Sequence, residues 1–244
     1  MIEQELRNLG LSDRECFRLS STFELIPPDA RTALEIGFYD LRVTRLLRKR
    51  LSVVSVDLPR PVSAEDKSGL VFADIQALPF PSKTFDVVFC TEVLEHLPEG
   101  VLEHGVRELV RVARKSLIVS VPFQQRVWNE MFKCEDCGFT GHSMGHLHYF
   151  TEEDITRLFP QYNVVERRFI GTSKGYAPDW LYGIARKYGN VWGNYQFGNC
   201  PQCGRTDRAV PPNWFGRIIE RVIWRAHKHA PTQPSWLLMS LAAA

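Results

Sequence analysis

The sequence predicts an α/β fold, a doubly wound and mostly parallel sheet with helices on both faces. Short apolar runs without polar alternation recur between helical patterns, as strands buried on both faces do. Several of these runs end in an acid, at Glu35, Asp57 and Asp74. One of them passes through a single glycine, Gly37, almost directly into a basic helical pattern, giving TALEIGFYDLRVTRLLRKR from Thr32 to Arg50.

Taken in order, Ser12 or Asp13 caps a helix running through Glu15, Phe17, Leu19 and Phe23 that stops before Pro27-Pro28. This is a lid or packing helix within an N-terminal helical segment, residues 1–29. Ala33, Leu34 and Ile36 form the first strand, Gly37 its tight turn, and Leu41, Val43, Leu46 and Leu47 the inner face of the next helix. Leu51 to Val56 is a second strand ending at Asp57, and the following Leu58-Pro59-Arg60-Pro61 allows no helix to begin. Leu70 to Ala73 is a third strand closed by Asp74, and Phe85 to Cys90 a fourth, apolar enough to be central. Thr91 to Leu97 form its exit loop. A helix is predicted from Val101 to Arg114, a fifth strand from Ser116 to Val121, a helix capped by Thr151, and a sixth strand from Tyr162 to Ile170.

In such a sheet the acids at the strand ends share the carboxyl edge, where α/β folds bind ligands. A strand, a glycine turn and a helix N-terminus suit a nucleotide-like ligand, and a carboxylate at Asp57 is placed to accept hydrogen bonds from a ribose diol.

Thr32 to Ile36, Val53 to Asp57, Ala73-Asp74-Ile75 and above all LPFPSKTFDVVFCTEVLEHLPEG, from Leu78 to Gly100, resemble class I S-adenosylmethionine-dependent methyltransferases. The resemblance covers residues 30 to 170 and implies a Rossmann-like, mostly parallel seven-stranded sheet with S-adenosyl-L-methionine as cofactor. It implies that the loop at Glu35, Gly37 and Phe38 wraps the methionine moiety, that Asp57 beside Leu58 holds the ribose, and that Asp74 beside Ile75 reads the adenine. Cys90 and Thr91 would give backbone contacts to the methionine end, and His96 would orient the pocket. The sixth strand would pair with an antiparallel seventh, here displaced to Ser235–Leu241, all within one methyltransferase-like domain spanning residues 1–244 with insertions at 128–148 and 171–234.

One departure stands out. The family's first loop reads Glu/Asp-x-Gly-x-Gly-x-Gly, and Tyr39 and Leu41 replace its second and third glycines. A side chain there costs roughly 1 kcal/mol or more if the left-handed conformation is kept. Alternatively the loop changes shape and Asp40 caps the helix. The resemblance thus implies methyl transfer to an oxygen or nitrogen of a small-molecule or glycan acceptor, with a non-catalytic binding or scaffold protein carrying a degenerate cofactor loop as the alternative.

Four of the 6 cysteines form two Cys-x-x-Cys pairs, Cys134/Cys137 and Cys200/Cys203, each followed by glycine. That spacing suits a structural zinc ion held by four thiolates, which leaves no position open for substrate. His142 could replace one cysteine. His146, in GHLHYFT, is the candidate base for an acceptor proton, and the other role open to it is packing against or hydrogen-bonding the cysteine knuckle.

The net charge of +2 does not favour nucleic acid as a partner. No apolar stretch approaches the length of a membrane span and MIEQELRNLG carries no signal-peptide core, so a cytoplasmic location is expected. Trp214 to His229 reads as a basic amphipathic helix suited either to its own domain or to peripheral contact with an anionic membrane, the latter fitting a lipid-linked acceptor. Trp180, Tyr182 and Trp192 could line a sugar or aromatic acceptor site. Oligomeric state is not encoded in any of these features.

Overall fold

In the computed structural model, which describes residues 2–38, 41–59, 68–193, 196, 199–205 and 210–243, the chain forms two compact units. One comprises Met1–Phe123, Phe150–Gly171 and Ser235–Ala244, the other Gln124–Tyr149 and Thr172–Pro234. In chain order the strands are β1 (Thr32–Ile36), β2 (Ser52–Asp57), β3 (Leu70–Phe72), β4 (Phe85–Thr91) and β5 (Ala113–Pro122). They continue with β6 (Met131–Lys133), β7 (Thr140–His142), β8 (Tyr162–Ile170), β9 (Ser173–Lys174), β10 (Thr232–Gln233) and β11 (Trp236–Ala243). The α-helices are α1 (Ile2–Asn8), α2 (Asp13–Phe23), α3 (Arg42–Leu47), α4 (Glu99–Val112), α5 (Glu152–Leu158), α6 (Asp179–Gly189) and α7 (Trp214–His229).

The first unit holds a 7-stranded sheet in the order β3-β2-β1-β4-β5-β11-β8. Its strands β3 to β5 run parallel, and β11 lies antiparallel between β5 and β8, as the late seventh strand requires. Apolar side chains from both faces of the sheet form two cores. One gathers Leu34, Val88 and Leu117 with Leu109 of α4, and the other Ala33, Val87 and Ile118 with Leu19 and Phe23 of α2. The α2 helix begins where the sequence places it, at Ser12, in a reciprocal cap with Glu15, and α5 begins in the same way with Thr151 and Asp154.

One boundary differs from the sequence reading. The helical pattern extends to Arg114, but α4 stops at Val112 and Ala113 opens β5, paired with Phe85. The cause is tertiary, since the Arg114 guanidinium is drawn to the carboxylate of Asp86, 2.7 Å away. Asp86 also accepts from the backbone N–H groups of Arg31, at 2.9 Å, and Thr32, at 3.1 Å, and so ties β1 to the start of β4.

The second unit contains the β6–β7 hairpin, the β9–β10 pair and the helices α6 and α7. Ile219, Ile223 and Ala226 of α7 pack against Ala177, Leu181 and Tyr182. Among the described residues no helix is long and apolar enough to cross a membrane.

Burial pushes the Asp86 carboxyl up, but the donated N–H bonds and Arg114 outweigh it and hold Asp86 well below the usual carboxylate range. A pKa lowered from an unfolded value of about 3.9 means that ionised Asp86 stabilises the fold above about pH 4 and that this contribution is lost as pH falls through the folded value. Asp86→Asn is expected to lower stability at pH 7 by about 2–3 kcal/mol, with the difference from wild type shrinking in acid. Urea unfolding of both proteins across pH checks this.

Candidate functional site

A cavity of about 620 Å³ opens at the carboxyl edge of the sheet, within the first unit. It is framed by the ends of β1, β2 and β4, and by Leu11, Glu15, Arg18 and Leu19 at and just before α2, so the N-terminal segment forms one wall. Gly37 leaves β1 at φ +80, and its N–H donates to the Val56 carbonyl at 2.8 Å. A Cβ on Gly37 would stand 2.8 Å from Cγ2 of Val93 in the loop after β4, so both the backbone conformation and the space demand glycine.

Asp57 joins the two neighbouring loops. Its Oδ2 accepts from the N–H of Phe38 at 3.2 Å and its Oδ1 from the N–H of Leu58 at 2.8 Å, and all three residues line the cavity. Asp74 and Ile75 line it at the β3 side, with Asp74 accepting from the Gln76 N–H at 2.9 Å. Thr91 and His96 belong to the wall beyond β4. Glu35 also reaches the cavity, but its buried carboxylate accepts from Oγ1 of Thr44 at 2.6 Å and Oγ of Ser55 at 2.7 Å, which ties β1 to α3 and β2. The Cys90 side chain is wholly buried in the core, and the contact expected of this residue is through its backbone.

The altered loop is partly visible. Tyr39 and Asp40 lie outside the described residues, whereas Leu41 does not, and it takes the left-handed conformation that glycine adopts most readily, at φ 63 and ψ 3. Leu41 occupies the N-cap position of α3. The conformation costs roughly 1–2 kcal/mol. Removing a buried leucine costs roughly 2–5 kcal/mol, so the burial of Leu41 outweighs its backbone strain. The Phe38 ring is buried 5.9 Å from that of Phe72 and leaves the cavity open.

Sequence reasoning missed two acids. Glu92 follows β4 at φ +57, lines the cavity, and accepts from Oγ of Ser120 at 2.6 Å and Nε1 of Trp236 at 2.8 Å. Glu95 is buried, and neither carboxyl oxygen has a hydrogen-bond partner among the described residues. Burial, and then the Glu92 charge, push its pKa well up. Nothing in TEVLEH separates one acid from the other, because their difference is tertiary.

In the second unit the Sγ atoms of Cys134, Cys137, Cys200 and Cys203 all lie within 4.8 Å of one another. Cys134 and Cys203 are 3.9 Å apart and Cys137 and Cys200 3.7 Å apart. Sulfurs about 2.3 Å from a central zinc at tetrahedral angles stand about 3.8 Å apart, so the spacing fits that ion. It is too long for a disulfide. The two knuckles have the same backbone form. The N–H of Gly138 donates to the Cys134 carbonyl at 3.0 Å and that of Gly204 to the Cys200 carbonyl at 2.9 Å, each glycine at positive φ. His142 is not part of this cluster, and its Nδ1 accepts from the N–H groups of Met144, at 3.3 Å, and His146, at 3.1 Å. The His146 ring stacks on His142 at 4.8 Å and is hydrogen-bonded through Nδ1 to Gln125.

The profile of the family described as "Methyltransferase domain" matches residues 34–119. The fold is the class I methyltransferase fold. A SAM dependent methyltransferase from Archaeoglobus fulgidus superposes with a TM-score of 0.57 at 14% identity, over 94% of this chain and 94% of that one. The N-methyltransferase NodS from Bradyrhizobium japonicum WM9 gives 0.54 at 14% identity, over 94% of this chain and 96% of that one. The [4+2]-cyclase SpnF gives 0.51 at 11% identity, over 93% of this chain and 80% of that one. No curated protein matches the sequence significantly.

Proposed function

We propose that the protein is an S-adenosylmethionine-dependent methyltransferase acting on an oxygen or nitrogen of a small-molecule or glycan acceptor. The observation that carries this reading is the open cavity at the sheet edge, with the Gly37 turn and the adjacent Asp57 carboxylate in its wall. Its volume of about 620 Å³ lies inside the range of roughly 300–1,000 Å³ usual for small-molecule sites. The residues fit the cofactor, since the glycine turn allows close backbone approach and Asp57 offers a carboxylate for a ribose diol. The cofactor supplies a sulfonium-activated methyl group, so the chain has to bind, orient and exclude water. Asp57 and Asp74 would hold the nucleoside and the Gly37 loop the methionine end.

The fold alone does not decide the chemistry, as the superposition with a protein named as a cyclase illustrates. A non-catalytic scaffold whose first loop is filled by the Phe38 and Tyr39 rings is the competing reading; Tyr39 lies outside the described residues, and the Phe38 ring is buried 5.9 Å from that of Phe72. Aromatic side chains support the acceptor class. Tyr182 and Trp192 line a second cavity of about 320 Å³ within the second unit, of a kind that suits a sugar or aromatic ring, and Trp180 is exposed nearby in sequence.

S-adenosylhomocysteine is expected to bind the full chain with a Kd of about micromolar magnitude, and Asp57→Ala to weaken it by about tenfold or more. Isothermal titration decides between the readings, because absence of binding at millimolar ligand favours the scaffold.

We assign His146 as the acceptor of the substrate proton, with Gln125 orienting its ring through Nδ1. His146→Ala should lower kcat by about a hundredfold or more while leaving S-adenosylhomocysteine affinity unchanged. Methyl-transfer assays beside the same titration test the assignment, and an unchanged kcat would remove it.

Zinc at the four cysteines would be structural, closing off all four coordination positions. Elemental analysis is expected to find about one zinc per chain, lost in Cys134→Ser, with proteolysis of that variant concentrated in residues 172–234. A metal-free wild type with intact proteolytic resistance contradicts this.

A further inference from the structure

The α7 helix carries more apolar surface than its packing uses. Ile219, Ile223 and Ala226 face Leu181 and Tyr182 and are half-buried there. On the remaining circumference Trp214 is 76% exposed, Ile218 48% and Val222 46%. These three recur every fourth residue and so form one continuous stripe along the helix.

Arg217, Arg221, Arg225 and Lys228 are all exposed, and helical spacing sets them along one edge of that stripe. Trp224, 64% exposed, lies beyond the basic edge with Nζ of Lys228 5.6 Å from its ring centroid. Glu220 is the one acid in the helix, half-buried and turned away from the stripe. The exposed half of α7 therefore offers tryptophan and aliphatic side chains bordered by positive charge, with no negative charge among them.

We propose that this face of α7 docks on a bilayer surface containing anionic lipids. Trp214 and Trp224 are of the type that settles at the headgroup level, Ile218 and Val222 enter the acyl boundary, and the basic row pairs with lipid phosphates. Charge complementarity selects this occupant over the others. A second copy docking through the same stripe would set the basic rows against each other. A nucleic-acid strand would engage the arginines but leave the Ile218 and Val222 side chains against water. The docking face does not depend on cofactor binding, so Asp57→Ala should leave it unchanged.

Co-sedimentation of the full chain with vesicles tests the proposal. Partition onto phosphatidylcholine containing about 30% phosphatidylglycerol should exceed that onto pure phosphatidylcholine by about tenfold or more, and should fall as salt rises to about 0.5 M. Arg221→Gln with Arg225→Gln should bring the mixed-vesicle partition several-fold toward the neutral value. Trp214→Ala with Ile218→Ser should lower it on both vesicle types. All four positions are exposed, and far-UV circular dichroism with zinc content confirms that each variant folds.

Equal partition on neutral and anionic vesicles overturns the proposal, as does indifference to both double variants. So does a Trp214-dependent dimer by gel filtration without vesicle binding, or single-stranded DNA binding that outcompetes the mixed vesicles.

Discussion

The parallel pairing of β1 on both of its edges is the constraint on which the rest of the first unit depends. Ile36 stands level with Val56 of β2 and with Cys90 of β4, so three strands run out at one height. The residues that follow them, Gly37, Asp57 and Thr91, then share one edge without any further arrangement. A strand buried on both faces has little room for polarity, and β1 carries a single acid, Glu35. Thr44 and Ser55 donate to its buried carboxyl, which couples the first loop to α3 and β2. At the opposite end Asp86 captures the N–H groups of Arg31 and Thr32 before the strand begins. The cavity is thus set by strand register, with carboxylates fastening both ends of the same strand.

This explains why the sheet was legible in the sequence and its margins were not. A central parallel strand needs a short run of apolar residues, and Phe85 to Cys90 or Val53 to Val56 declare themselves by composition. The end of α4 does not, because Ala113 and Arg114 fit a helix as well as a strand and only Phe85 and Asp86, distant in sequence, decide the matter. The first loop shows the same limit from the other side. Its missing glycines are evident in the sequence, but the left-handed turn at Leu41 follows from a comparison of burial with strain that needs the surrounding core. Glu92 and Glu95 differ for an equally non-local reason, one answered by Ser120 and Trp236, the other enclosed without hydrogen-bond partners among the described residues.

The cysteines were legible because a knuckle is a local object. Two thiolates spaced by two residues, with a following glycine at positive φ, specify their own turn wherever the chain carries them. The histidines were not, since a ring nitrogen is defined by whatever reaches it. His142 is engaged by the backbone of Met144 and His146, which accounts for its place outside the sulfur cluster.

The second unit is assembled from two separate stretches of chain, and each contributes one knuckle. Its apolar clusters are small, one around Phe132 with Cys134 and Cys200, the other between α6 and α7. A unit with so little core gains little from burial to set against the entropy of ordering it. The two stretches meet at the four-sulfur cluster, at the hydrogen bond from the Gly193 N–H to the Met131 carbonyl at 2.9 Å, and at polar contacts such as Arg126 with Asp179, at 2.7 Å, and the Tyr176 hydroxyl with Glu130, at 2.7 Å. The β9–β10 pair gathers the two ends of the longer stretch, Ser173 against Gln233. Loop closure costs rise only slowly with length, so a long excursion pinned at its neck and at one metal-ready cluster is an affordable addition to a sheet. A metal bound there would act chiefly as folding free energy for the second unit, while the first unit draws its stability from the paired strands.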